Sequence, residues 1–364
     1  ERLRLFFVAL TRAEANLTIT NSIKDYAGKT PARLEYLEEY ENTEGQIISP
    51  FLPEKVVNLH YQDITSEQRL SATKTNWITA YQEIDGEIRA VLAKRLENYR
   101  LTATDLVTFI DIVYAGPLEF YKRKILRAPS EPATEALAFG NLIHNAFEAV
   151  TNQHLSDSEA VEFFKNKATE EAISSAELEQ ILERGVESLQ ISLTAFGDIL
   201  RHQNARAEAD FYHEHLLCDN VPITGKIDHI NIDEKNKTIE VYDFKTGNYH
   251  ADKWHSHATL LKYALQLGFY KLLLNNSPTY SKYQVTKAHI LFVSLDPVDN
   301  KVYDKVYEYS EKDEIELRKL IQAIYQHVVT LDFLDNPELA LAPDADRKLK
   351  DIKEFMLALI DENM

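Results

Sequence analysis

Two aspartates and a lysine stand where two β-rich runs of this chain turn back on each other. Ile223-Thr224-Gly225-Lys226-Ile227-Asp228-His229-Ile230-Asn231-Ile232 comes first, and Thr238-Ile239-Glu240-Val241-Tyr242-Asp243-Phe244-Lys245-Thr246-Gly247 follows the polar stretch Asp233-Glu234-Lys235-Asn236-Lys237. Two such runs around a short polar turn read as a hairpin. Strand side chains alternate between faces, so Ile239, Val241, Asp243 and Lys245 share one. The hairpin brings Asp228 back beside Asp243. Two ionised carboxylates at close range repel each other in a half-buried site. A hard divalent cation removes that cost, and Mg²⁺ prefers carboxylate, carbonyl and water oxygens. Such a cation acidifies water and neutralises charge on a phosphorus oxygen. Lys245 would orient the attacking water or stabilise the charged transition state. An ordinary solvated hairpin carries the same residue types, so the surrounding segments must decide.

The elements around the hairpin follow from periodicity. Helices are expected over about 30–42, about 65–98, about 103–127, about 137–152 and about 255–275, and an acidic helical stretch over about 157–200. The long helix of 65–98 repeats Trp77, Tyr81, Ile84, Ile88, Val91, Leu92 and Leu96 at helical spacing. Residues 43–60, with Gly45, Pro50 and Pro53, read as a connector. Besides the hairpin, strands are expected over about 206–218 and 285–295, with helices after them. The expected architecture is α/β: a mixed central sheet edged by the hairpin, helices on both faces, and a helical amino-terminal extension.

The 364 residues carry 45% hydrophobic side chains, enough for a real core, and 19 Tyr and 16 Phe exclude a disordered chain. A single cysteine, Cys218, excludes an internal disulfide and any cysteine-built zinc or iron–sulfur site. With no signal peptide and no membrane-length apolar run, the expected setting is cytoplasmic, with no membrane partner. The net charge of −18 argues against a general nucleic-acid coat. An acidic site that grips nucleic acid through a bound cation remains compatible with it.

Five segments in order give the chain a family likeness. They are Leu101-Thr102-Ala103-Thr104-Asp105-Leu106 continuing to Gly116-Pro117-Leu118-Glu119-Phe120-Tyr121; Phe139-Gly140-Asn141-Leu142-Ile143-His144; Gly225-Lys226-Ile227-Asp228; Asp243-Phe244-Lys245-Thr246-Gly247; and Gln266-Leu267-Gly268-Phe269-Tyr270. Together they resemble the RecB/AddAB-type nucleases of the PD-(D/E)XK superfamily over about residues 101–295. The resemblance implies a restriction-endonuclease-like core and Mg²⁺-dependent hydrolysis of DNA, as an exonuclease, with Mn²⁺ as an alternative cation. It makes His144, Asp228, Asp243 and the carbonyl of Phe244 metal ligands and Lys245 the catalytic lysine. Gln266 and Tyr270, four apart on one helix face, would line the site and hold DNA. Glu208 sits where the family often places an acidic residue on its first strand. Gly116 replaces a cysteine of some relatives, so no iron–sulfur cluster is expected.

The start of the chain, Phe6-Phe7-Val8-Ala9-Leu10-Thr11-Arg12-Ala13, resembles the sixth motif of UvrD/Rep-type helicases. The chain therefore reads as the carboxy-terminal piece of a helicase–nuclease, and the fragment as no ATPase by itself. Residues 1–25 would be the helicase remnant, 26–100 a helical linker and 101–364 the nuclease domain. The expected partners are DNA, the helicase region and a second helicase–nuclease subunit, in double-strand-break repair. A catalytically inactive nuclease-like module that binds DNA or a partner is the alternative.

Other segments read blandly. Gly28-Lys29-Thr30 lacks the earlier glycine of a P-loop and reads as a turn. His213, His215, His250, His255 and His257 read as solvated. His144 alone could be a core histidine. Tyr121-Lys122-Arg123-Lys124 with Arg127 is the best local phosphate-binding strip, a solvated helix end being the rival.

Overall fold

β-branched and aromatic residues alternate through the predicted hairpin, and each face finds its own core. The computed structural model describes residues 40–41, 47–48, 86–128, 135–170, 175–247, 249, 258–296 and 299–361. The chain divides into two units, residues 1–72 and 73–364. In the first, β1 (Tyr40–Glu41) pairs antiparallel with β2 (Ile47–Ile48). Where the expected helix of 30–42 reaches Tyr40–Glu41 the chain is a strand, and residues 30–39 lie outside the described residues. The helicase-like stub with Arg12, the Gly28-Lys29-Thr30 turn, Trp77, Tyr81, Ile84, His250, His255 and His257 lie outside the described residues.

In the second unit the helices before the sheet are α1 (Gly86–Leu96), α2 (Ala103–Ile110), α3 (Pro117–Phe120), α4 (Glu135–Gln153), α5 (Asp157–Glu170) and α6 (Ser175–Leu200). The strands are β3 (Ala205–Asp210), β4 (Leu216–Cys218), β5 (Val221–Ile223), β6 (Lys226–Asp233) and β7 (Thr238–Lys245). Then come α7 (Ala258–Asn276), β8 (Gln284–Phe292), β9 (Tyr303–Tyr307), α8 (Glu311–Thr330) and α9 (Leu349–Asp361). The main sheet has the order β3-β6-β7-β8-β9, and only the β7–β8 pair is parallel. β7 is therefore central, not at an edge as the sequence suggests. A parallel neighbour needs a long crossover. Here α7 lies in that connection, and hairpin logic does not reveal it.

The period of two partitions the layers. Ile239 and Val241 join a core with α2, α7 and α8, while Tyr242 and Phe244 join a second core with α4, α5 and α6. Among the described residues no helix is long and apolar enough to cross a membrane.

Several expected elements are split by local chemistry. The helix of 103–127 ends at Ile110 and resumes only after Gly116, whose φ of +92° suits glycine, with Pro117 opening the next helix. The strand of 206–218 stops where the Asp210 carboxylate accepts the Tyr212 N–H at 2.7 Å, an Asx turn. The run 221–232 parts at Thr224 and Gly225. There Leu101 N–H donates to Pro222 O and Thr224 N–H to Leu101 O, tying β5 to the chain before α2. The acidic stretch forms two helices, α5 and α6. On α1, Leu92 and Leu96 are buried while Ile88 and Val91 are exposed, so only part of the expected apolar stripe is covered. β9 was not anticipated; its burial alternates weakly along Tyr303–Tyr307, so the pattern carries little signal.

Cys218 is buried beneath α8, and burial pushes its thiol up to about 11, against the nearby Arg318 guanidinium. The thiol is therefore protonated at neutral and mildly alkaline pH. The native chain should stay unlabelled by a thiol reagent at about pH 8, whereas guanidinium-unfolded chain should label fully; rapid native labelling would contradict this.

α5 and α6 meet where Gly185 faces Phe164. A Cβ at Gly185 would lie 2.3 Å from the Phe164 ring, which is fully buried. Gly185→Ala should cost about 1–3 kcal/mol in denaturant unfolding, and Phe164→Leu in the same chain should recover part of it. An unchanged midpoint for Gly185→Ala would refute this packing.

Candidate active site

The candidate residues collect at the carboxyl end of β7, the start of β6, the neighbouring β3 and two covering helices. α4 approaches closely because Gly140 lacks a side chain: a Cβ there would sit 3.3 Å from Thr246 Oγ1. One turn later His144 faces the strand end. Phe147 and His144 both meet the Phe244 ring edge-on, at 4.8 and 5.6 Å between centroids, which fixes the helix over β7.

His144 Nε2 lies 3.2 Å from the Phe244 carbonyl, and Nδ1 lies 3.7 Å from Asp228 Oδ2. Burial lowers the His144 pKa despite the opposing charge of Asp243, so the ring is neutral at pH 7. A carbonyl only accepts, so the Nε2 contact places the proton there and leaves the Nδ1 lone pair facing Asp228. The other Asp228 contact is the Phe244 N–H, which donates to Oδ2 at 2.9 Å.

Glu208 completes this cluster. It lies within β3 with a φ of +50°, between Ala207 opposite His229 and Ala209 opposite Ile227. The register runs through Glu208 without a slip, so Glu208 stands opposite Asp228 across the ladder. Ligand atoms of His144, Glu208 and Asp228 lie within 4.8 Å of one another. Lys226 stands 3.7 Å from Glu208.

Asp243 is 1% exposed and both its oxygens are engaged. Lys245 Nζ pairs with Oδ2 at 2.6 Å, and the Tyr270 hydroxyl donates to Oδ1 at 3.2 Å. Gln266 links the two: Lys245 donates to its Oε1 at 2.9 Å, and its Nε2 donates to Tyr270 Oη at 2.6 Å. Burial alone would depress Lys245, but the charge of Asp243 outweighs it and the ammonium is held above its ordinary range. Burial and the Asp243 charge push Asp228 up to about 8, against Lys245 and the Phe244 N–H.

The structure therefore brings His144, Asp228 and the Phe244 carbonyl together, with Lys245, Gln266 and Tyr270 holding Asp243 alongside. Two contacts escaped the sequence reading. The Tyr263 ring lies 5.0 Å from Lys245 Nζ, and Lys262 pairs with Asp111 at 2.6 Å. Their signal was available: Lys262 and Tyr263 precede Gln266 by four and three positions, the helical neighbour spacing. The basic strip is engaged by local carboxylates: Arg123 and Lys122 with Glu119, and Lys124 with Asp105. His213 and His215 are exposed in the turn after β3.

Residues 100–347 match the family model of the PD-(D/E)XK nuclease superfamily. The chain belongs to that superfamily. No curated protein matches it significantly. Among solved structures it is similar to a Eubacterium rectale protein described as "Putative exonuclease", with 10% identity and a TM-score of 0.43. The match covers 69% of this chain and 88% of that one.

Tyr270→Phe removes the hydroxyl that meets buried Asp243. In the presence of EDTA this should lower stability by about 1–3 kcal/mol in denaturant unfolding, with the fold retained by circular dichroism; unchanged stability would show that the Tyr270–Asp243 bond does not form.

Proposed function

We propose that this member of the superfamily is a divalent-metal-dependent deoxyribonuclease of the RecB/AddAB type. The observation that carries the reading is the convergence of His144, Glu208 and Asp228 within 4.8 Å, beside an ammonium pinned by Asp243 and Gln266. The donor set fits a hard cation such as Mg²⁺ or Mn²⁺. A neutral imidazole presents a lone pair toward a carboxylate oxygen 3.7 Å away, beyond hydrogen-bond reach. Asp228 resists ionisation in its buried place beside Asp243, and a cation would favour its charged form. His144, Asp228 and Glu208 would hold the metal, with Asp243 and the Phe244 carbonyl as further oxygens once released from their present partners.

The bound cation supplies positive charge to the phosphoryl oxygens and acidifies the attacking water. The protein's own groups do the rest. Lys245 presents a fixed ammonium to the developing charge, and fixed donors cost no reorganisation during reaction. Asp243 and Gln266 hold that ammonium in place, and Tyr270 holds Asp243.

The finer reading is an exonuclease that works beside a helicase in double-strand-break repair, in the cytoplasm. Residues 1–25 form the helicase remnant, 26–100 the linker and 101–364 the nuclease domain. The helicase-like string ending at Arg12-Ala13 supports that order. Mg²⁺ is the expected metal, Mn²⁺ the alternative, with no iron–sulfur cluster. The inactive-module reading predicts a lost ligand or lysine, and this chain keeps His144, Asp228, Asp243 and Lys245.

The test is cleavage of end-labelled single-stranded DNA with Mg²⁺. EDTA should abolish it, and Lys245→Ala or Asp228→Ala should lower the rate by about 100-fold or more while circular dichroism stays native. Wild-type rates in Asp243→Ala would sink the assignment.

A further inference from the structure

With a net charge of −18, most of this chain repels a phosphate backbone, so a bound strand needs a locally cationic route to the cluster. Such a route begins at Lys226. It shares a face of β6 with Asp228, two residues away, about 7 Å along the strand. Asp210 pairs with Lys226 across the β3–β6 ladder, and Tyr212 follows in the Asx turn that Asp210 makes.

Tyr212 is held in an unusual way for a residue that neither core uses. Its ring is 56% exposed. Its N–H is fixed by Asp210, and its carbonyl accepts from Arg100 Nη1. The Arg100 guanidinium also lies over the ring, 4.1 Å from its centroid, and His213 meets the ring edge at 5.4 Å. Among the described residues no carboxylate forms an ion pair with Arg100. An exposed aromatic side chain restrained on three sides is pre-organised for a partner that stacks. Arg100 in turn is anchored through its neighbour, since Leu101 is tied to Pro222 and Thr224.

We propose that Tyr212 and Arg100 form a stacking platform for one unpaired nucleobase of a DNA strand, and that Lys226 meets the phosphate between that base and the cluster. The proposal rests on the nuclease reading and names its substrate as single-stranded. Flat bases stack on aromatic and guanidinium planes regardless of sequence, and a duplex hides those faces. Asp210 and Glu208 are the acidic groups beside this path. The first fixes the turn, and the second belongs to the cluster.

The experiment uses the whole chain in EDTA, with a fluorescein-labelled thymidine oligonucleotide and fluorescence anisotropy, so that binding is read without cleavage. Tyr212→Ala should weaken binding by about tenfold, and Tyr212→Trp should bind within about twofold of wild type. Lys226→Gln should reduce the slope of log affinity against log salt by about 0.7. A duplex of the same length should bind equally to wild type and Tyr212→Ala. Unchanged oligonucleotide binding by Tyr212→Ala, an equal loss in Tyr212→Trp, or a loss for duplex as large as for single strand would overturn the platform. Any of these leaves metal-dependent cleavage standing as a separate measurement, whereas a wild-type chain that binds as proposed but never cleaves would overturn the nuclease reading.

Discussion

Electrostatic repulsion between two aspartates at one strand end is the constraint around which this molecule is arranged. Asp228 and Asp243 come together because β6 and β7 pair in a fixed register. Neither can move away without unpairing the hairpin at the middle of the sheet. Without a cation the protein meets that repulsion in two ways. Lys245 and Tyr270 neutralise and hold Asp243. Asp228, half-buried beside the Asp243 charge, shifts toward its protonated form. A buried carboxylate in that state is a poor structural residue and a good place for a divalent ion.

The fold supplies rigidity where the site needs it. β7 is central, with β6 on one side and β8 on the other, so its carboxyl end cannot fray as an edge strand would. Each of its faces is buried in a separate core. α4 brings His144 in over Phe244, and α7 brings Gln266 and Tyr270 from the other layer. The site thus forms where three layers end together. Glu208 reaches it because β3 pairs with β6 in a register that sets Glu208 opposite Asp228, with a positive φ of the kind that accumulates beside functional sites.

Much of this was legible in the residues. The hairpin was, because a polar turn and period-two alternation together set its register, and a register slip would have carried Ile239 and Val241 to the opposite layer. The segments around His144 and Gln266 stood out through their resemblance to a family, with the right order along the chain. What stayed hidden were features set by tertiary pairing. No local pattern says that β8 lies parallel to β7, that Glu208 adopts a positive φ, or that an Asx turn at Asp210 ends β3. The engagement of Asp243 by both Lys245 and Tyr270 is also a packing outcome, since α7 must first dock on β7. Gly116-Pro117 did signal a break, but the helical periodicity on either side outweighed it in the reading of residues 103–127.

The central claim, one cation shared by a helix imidazole and strand carboxylates, is tested most directly by anomalous diffraction from a crystal of the chain soaked in Mn²⁺. The account predicts a strong anomalous peak within coordination distance of His144 and Asp228, with Glu208 beside it and Lys245 outside the ligand sphere. A saturated crystal with no peak there, or with His144 still turned only to the Phe244 carbonyl, would contradict it.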